Sequence, residues 1–258
     1  MDMPRNAFKR ALAEGRLQLG LWCSLPGSYA AEVVAGAGFD WLLFDTEHSP
    51  IDPVTVVSQL QAAAAYPVSA VVRPASNDAV TIKRLLDVGA QSLLVPFVES
   101  PEEAAAAVAA VRYPPSGVRG VAGITRATRF GRIPGYAKAA AEEICLVVQV
   151  ESTAAIEAVE AIAAVDGVDG IFVGPSDLAA SMGFAGEGTR AEVREATIDA
   201  IRRIRAAGKP AGALSLDPSF NEEMIAAGSV FAAVDMDAAI LARGADAVAE
   251  RFRRAARA

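Results

Sequence analysis

Short runs dominated by Val, Ile, Leu and Phe recur along the chain, and most close on one or two polar or ionisable residues. The runs at 18–25, 41–48, 69–74, 92–98, 144–151, 170–177, 210–216 and 229–236 read as strands. Apolar residues fill consecutive positions in them, as expected of strands covered on both faces. Between the runs lie stretches with helical patterning, at 6–15, 29–38, 52–65, 78–89, 101–112, 152–165, 190–207 and 238–258, and a short helix follows the sixth strand ahead of a loop at 183–188. Local signals support these bounds. Asp52-Pro53 supplies an N-cap and a first-turn proline, and Gly38, Gly89, Gly208 and Gly228 each stand where a helix closes just ahead of a strand.

Regular strand–helix alternation implies parallel strands, because a crossover must intervene between them. Eight such units in 258 residues predict an α/β fold, a TIM (β/α)8 barrel forming one domain over 1–258. An open doubly wound sheet is the competing arrangement. The lack of a Gly-x-Gly-x-x-Gly after the first strand counts against it. Residues 113–135 break the rhythm. They are rich in Gly, Pro and Arg, with Arg119, Arg126, Arg129 and Arg132, and a long irregular segment of this kind is expected to be a functional loop or an interaction surface.

Composition narrows the class. Hydrophobic residues make up 53% and charged residues 21%, enough apolar material for a large core. A net charge of −7 offers no basic face to nucleic acid or anionic lipid. No apolar run reaches the roughly 20 residues of a membrane span. The opening Met-Asp-Met-Pro-Arg-Asn lacks a signal-peptide pattern, so a cytoplasmic location is expected. Cys23 and Cys145 fall inside strand runs and are expected as buried free thiols rather than a disulfide.

In such a barrel the active site forms at the C-terminal strand ends. Reading those ends gives Ser24; then Asp45, Glu47 and His48; then Arg73; then Gln149 and Glu151; then Ser176 and Asp177; then Ser215 and Asp217. Glu151 and Asp177, on neighbouring strands, are hard oxygen donors suited to Mg²⁺ or a similar cation, or alternatively carboxylates satisfying helix N-termini. His48, the chain's single histidine, is a candidate general base or an ordinary surface or core histidine. Arg73 ends an inward-pointing strand and calls for an anionic partner, which suits a carboxylate or a developing enolate. The lysines, Lys9, Lys83, Lys138 and Lys209, are absent from every strand C-terminus. A Schiff-base mechanism needs one there, so metal-assisted enolate chemistry is the expectation, with no nucleotide cofactor.

At these residues the chain resembles the HpcH/HpaI family of class II, metal-dependent 2-oxo acid aldolases. The resemblance rests on Ala37-Gly-Phe-Asp-Trp-Leu-Leu-Phe-Asp-Thr-Glu-His48, Val72-Arg73-Pro74, Leu85-Leu-Asp-Val-Gly-Ala-Gln91, Arg112-Tyr-Pro-Pro-Ser-Gly-Val-Arg-Gly-Val121, Val148-Gln-Val-Glu151 and Phe172-Val-Gly-Pro-Ser-Asp-Leu178, in the same order over nearly the whole chain. It implies that Glu151 and Asp177 bind a divalent cation (Mg²⁺, Mn²⁺ or Co²⁺) that the 2-oxo acid chelates. It further implies that Gln149 and the backbone at Ser176 hold the pyruvate portion, and that Arg73 stabilises the enolate oxygen. The same resemblance implies that His48 would act as base through a metal-bound water with Asp45 close by, and that Asp87 would raise the basicity of the histidine from a neighbouring subunit. The family often has alanine where Ser176 stands, a change that a backbone contact survives. Barrels of this family swap the terminal helix between paired subunits and assemble as hexamers, a trimer of dimers.

The expected activity is reversible cleavage of a 4-hydroxy-2-oxo acid to pyruvate, or a related 2-oxo acid such as hydroxypyruvate, and an aldehyde. The cleavage of 4-hydroxy-2-oxoheptanedioate to pyruvate and succinic semialdehyde is one example. Arg126 or Arg129 would read a distal carboxylate. The competing readings are a citramalyl- or malyl-CoA lyase, with the 119–132 arginines forming a phosphate groove, and a barrel retained for binding alone.

Overall fold

The structure, a computed structural model, describes residues 1–256. The apolar runs pair edge to edge as β1 (Gln18–Cys23), β2 (Trp41–Asp45), β3 (Ser69–Arg73), β4 (Ser92–Val95), β5 (Cys145–Val150), β6 (Gly170–Val173), β7 (Ala211–Leu214) and β8 (Ser229–Met236). All neighbours are parallel, and β8 returns to β1, so the sheet closes in chain order as a TIM-type α/β barrel. No strand edge is left open.

Around it run α1 (Ala7–Ala13), α2 (Ser28–Ala35), α3 (Pro53–Ala63), α4 (Ala79–Asp87), α5 (Pro101–Val111), α6 (Tyr136–Glu143), α7 (Thr153–Glu157), α8 (Val159–Ala163), α9 (Pro175–Ser181), α10 (Ala191–Ala206), α11 (Pro218–Ala226) and α12 (Asp237–Ala255). Their starts follow from side-chain chemistry. Asp52, Asp78, Ser100 and Ser152 each accept a hydrogen bond from the backbone N–H three residues on, at 2.7, 2.8, 3.2 and 3.1 Å. The closing residues Gly89 and Gly228 take positive φ, 101° and 113°, where other residues would be strained.

Two apolar clusters divide the core. One fills the shell between strands and helices. The other fills the barrel interior with Trp22, Trp41, Leu43, Val71, Leu94, Val147, Phe172 and Phe231, and is plugged from below by Phe8 and Leu12 of α1. Residues alternate in facing, so the inner face of β2 reads Trp41, Leu43, Asp45, that of β3 Val71, Arg73, and that of β5 Cys145, Val147, Gln149. The inner face that is greasy at the floor therefore becomes ionisable at the rim within one strand.

Two expectations are corrected. The sixth strand stops at Val173, because Pro175 lacks an N–H for the ladder and its fixed φ begins α9 instead. The helix expected over 152–165 is two pieces that meet at Ala158. Helix α6 lies between the irregular 113–135 region and β5, where the sequence pattern sets no element. The expected terminal helix is present, but positions 257–258 lie outside the described residues. Cys23 and Cys145 are buried and unbridged. No described helix is long and apolar enough to cross a membrane.

Candidate active site

The polar strand ends converge on a cavity of about 250 Å³ at the C-terminal mouth of the barrel. Asp45, His48, Arg73, Gln149, Ser176 and Asp177 line it, together with Ser24 and an apolar wall of Trp22, Phe172, Leu214 and Met236. Glu151 lies just beneath, 1% exposed. Eight polar residues that follow or end five of the strands thus share one site.

Arg73 is the organising charge. Its Nε and Nη2 donate to both oxygens of Asp45, at 2.9 and 2.6 Å, in the bidentate geometry of a strong pair. Its Nη1 lies 2.8 Å from Glu47 Oε2 as an ionic contact without aligned hydrogen-bond geometry. Trp22 stacks under the guanidinium at 4.6 Å and donates its indole N–H to Asp45 at 3.2 Å. Burial by itself would raise the Asp45 carboxyl, but the hydrogen bonds and charge of Arg73 outweigh it and hold Asp45 below the usual carboxylate range. Asp45 also accepts from the backbone N–H of Glu47 at 3.0 Å and of His48 at 3.4 Å, which shapes the turn after β2.

His48 sits on that turn with 63% of its side chain exposed and Nε2 3.8 Å from Glu47 Oε2. Its ring is therefore free to meet a ligand from the open side. Glu47 is pushed upward by burial, against the opposing charges of Arg73 and His48.

Glu151 follows β5. Its Oε1 accepts from the backbone N–H of Phe97 at 2.9 Å, and its Oε2 from Gln149 Nε2 at 2.5 Å. Burial drives its carboxyl up to about 7, and the charges of Asp177 and Glu47 add to the rise. Phe97 adopts φ 50°, rare for a non-glycine residue, and this directs its N–H at the carboxylate. Gln149 Oε1 is buried with no partner. A side chain on Gly174 would place Cβ 2.6 Å from Glu151 Oε2 and 2.9 Å from Gln149 Nε2, so only glycine fits there. Asp177 stands in the first turn of α9 rather than at a strand end, and still reaches the cavity.

These groups test a divalent cation on the residues themselves. Four carboxylates, Asp45, Glu47, Glu151 and Asp177, share the site with one guanidinium, and Glu151 is raised to about 7 by burial first, with the charges of Asp177 and Glu47 adding to it. Hard oxygen donors in a cation-deficient pocket fit a divalent metal. No group of three or more His, Cys, Asp or Glu converges as a metal-ligand set among the described residues. Glu151 and Asp177 would thus supply only part of a coordination shell.

Other expectations separate from the site. Asp87 ends α4, away from the cavity, and pairs with Arg119 at 3.0 Å. Arg119 is fully buried between Tyr113 and Tyr136, with ring centroids 4.5 and 5.8 Å from its guanidinium. Arg126 donates to the carbonyl of Val88 at 2.9 Å, so this arginine too is tied to the end of α4. Neither it nor Arg129 reaches the cavity of its own barrel. Ser215 and Asp217 serve the start of α11, where Asp217 accepts from Ser219 N at 2.9 Å. Lys9 and Lys209 lie at the opposite mouth, and no lysine lines the cavity. The sequence gives Glu47 no role of its own, although it stands in the same run as Asp45 and His48. It has no signal for the Phe97 N–H, a backbone group.

Comparison with known proteins fits this geometry. The profile described as HpcH/HpaI aldolase/citrate lyase matches residues 18–244. A pyruvate aldolase of Rhizobium etli is 61% identical over 98% of this chain and 99% of its own. A hydroxypyruvate/pyruvate aldolase of Sagittula stellata is 52% identical, covering 93% and 95%. A crystal structure of an HpcH/HpaI aldolase/citrate lyase family protein from Burkholderia cenocepacia superposes with a TM-score of 0.92 at 39% identity, covering 96% of this chain and 99% of that one.

Proposed function

Since the chain belongs to the HpcH/HpaI aldolase/citrate lyase family, we propose that it is a class II aldolase. It cleaves 4-hydroxy-2-oxo acids reversibly to pyruvate, or a related 2-oxo acid such as hydroxypyruvate, and an aldehyde. The observation that carries the reading is the buried Glu151, raised to about 7 beside Asp177 and within hydrogen-bond reach of Gln149, facing a fixed Arg73.

A divalent cation (Mg²⁺, Mn²⁺ or Co²⁺) held by Glu151 and Asp177 would act as a Lewis acid on the keto and carboxylate oxygens of the 2-oxo acid. Gln149 and the backbone at Ser176 orient the pyruvate portion. Arg73, immobilised by Asp45 and Glu47, presents a positive charge that needs no reorganisation as negative charge grows on the keto oxygen. In the cleavage direction His48 takes the proton of the C4 hydroxyl. The C3–C4 bond then breaks, its electron pair passing into the enolate of pyruvate while C4 leaves as the aldehyde. Protonation at C3 completes the reaction.

Asp87 would tune His48 from a neighbouring subunit, since its own barrel holds it away from the rim. In the same assembly α12 would cross to a paired subunit. Its Leu241, Val248 and Phe252 are 61, 59 and 66% exposed within one chain, which supports a helix exchanged in a homo-hexamer of swapped pairs. We place this single-domain enzyme in the cytoplasm. The CoA-thioester reading is less favoured, because Arg119 and Arg126 are already engaged within the chain.

The test is deuterium exchange into pyruvate in D₂O, followed by NMR on metal-stripped protein and after adding back Mg²⁺, Mn²⁺ or Co²⁺. Exchange that requires metal is the expected result. Its absence with every metal refutes the proposal.

A further inference from the structure

Ser24 follows β1 and faces the cavity from the side opposite β5, four strands away round the closed barrel. For a 2-oxo acid anchored at Glu151 and Asp177, the Ser24 side is the part of the cavity across the barrel that its aldehyde-derived end would meet. The walls contributed there by β7, β8 and β1 are Leu214, Met236 and Trp22. The one polar group of Trp22, its indole N–H, is already given to Asp45. Ser24 is the hydroxyl on an otherwise apolar side.

Its environment fixes its polarity. The Ser24 backbone N–H and its Oγ–H both end on Asp237 Oδ1, at 2.9 and 3.1 Å, and the N–H of Leu25 ends on Oδ2 at 3.1 Å. Asp237 is 5% exposed at the root of α12. From the other flank, fully buried Gln59 of α3 donates to the carbonyl of Leu25 at 3.3 Å. A serine hydroxyl has one proton and two lone pairs. Here the proton is committed to a carboxylate, so Ser24 shows the cavity acceptor character only.

We propose that Ser24, polarised and positioned by Asp237, is a specificity determinant that accepts a hydrogen bond from a hydroxyl on the aldehyde. The site favours aldehydes with a hydroxyl beside the carbonyl. It disfavours deoxy analogues and aldehydes that would place a carboxylate against the Ser24–Asp237 pair, where like charge and mismatched acceptors meet. This inference rests on the aldolase reading above.

The experiment compares kcat/KM for glycolaldehyde and acetaldehyde with pyruvate as partner, in the metal-loaded full chain and in Ser24→Ala, Ser24→Thr and Asp237→Asn. The two probes differ by one hydroxyl, and their intrinsic reactivity cancels when variants are compared. In Ser24→Ala the glycolaldehyde preference should fall about five- to tenfold, mainly through KM, as expected for one hydrogen bond. Ser24→Thr, which keeps the hydroxyl, should stay within about twofold of the wild type. Asp237→Asn should also lower the preference, and should raise the relative use of succinic semialdehyde, because an amide donating to Oγ frees the hydroxyl proton to turn into the cavity. A preference that Ser24→Ala does not move, in protein that still exchanges pyruvate protons, overturns this inference alone. Absence of metal-dependent exchange in the wild type overturns the aldolase reading on which it rests.

Discussion

The two mouths of this barrel solve opposite problems with the same strands. At the floor, Trp41 and Phe231 fill the interior because Gly20 and Gly212 leave room: a Cβ would fall 2.1 Å from the Trp41 ring and 2.3 Å from that of Phe231. Phe8 of α1 closes the gap, its ring centroid 5.5 Å from Trp41 and 5.9 Å from Phe231. The packing there is aromatic and aliphatic, and its one indole N–H, that of Trp41, is satisfied by the Gln18 carbonyl at 3.2 Å. At the rim the same inner faces carry Asp45, Arg73 and Gln149, and the balance is left unfinished, with an excess of carboxylates and an unpartnered Gln149 oxygen. Stability is concentrated where nothing can bind, and electrostatic demand is concentrated where something must.

The sharpest way to break this division is at the metal ligands. Glu151→Gln or Asp177→Asn should lower aldol turnover by about a thousandfold, the scale of several kcal/mol of lost charge stabilisation, with loss of bound metal on dialysis. Turnover near the wild-type level in either variant would remove that residue from the metal site. Arg73→Ala should be costly twice over. It should abolish pyruvate exchange and destabilise the fold by about 3–5 kcal/mol, because Asp45 is left buried without its partner. Adding Asp45→Ala should recover part of the denaturant midpoint but none of the exchange, and recovery of both would contradict the role of Arg73. At the floor, Gly212→Ala or Gly20→Ala should cost about 1–3 kcal/mol through overpacking, read as a lowered midpoint, while metal affinity persists.

The smallest effect is a pH dependence. Glu151 is raised from 4.5 to about 7, so in the metal-free protein its contribution to stability is full below about 4.5 and is lost as pH rises through about 7. Metal binds the ionised form, and its affinity should therefore fall about tenfold for each pH unit below 7. Calorimetric melting should show a larger metal-induced rise in Tm at pH 8 than at pH 5.5. A rise that is equal at both would show that Glu151 is ionised already.

Much of this was legible because β-strands in a barrel are covered on both faces, so their apolar runs stand out and their polar ends mark a rim. Asp45, Arg73, Gln149 and Glu151 were readable for that reason. Asp177 was found on the wrong element: Phe172-Val173 continues into Gly174-Pro175 without a break in character, and only the proline marks the change to helix. The arginines after 113 looked like functional groups, but Arg119 spends its charge on Asp87, a pairing thirty-two residues apart that no local pattern announces. Asp237 was hidden differently. An acid at the start of a helix is ordinary, and its bonds to Ser24 and Leu25 join opposite ends of the sequence.

Gly174 limits how this rim can be altered. Laboratory evolution of the pocket can explore Ser24, Leu214 and Met236, whose side chains line its open wall. Position 174 is closed to it, because the first carbon of any side chain would occupy space already held by Glu151 and Gln149. A library randomised there should return glycine alone among active clones. The substrate range of this barrel is thus tunable from one side of the mouth, while the opposite side is locked by a missing atom.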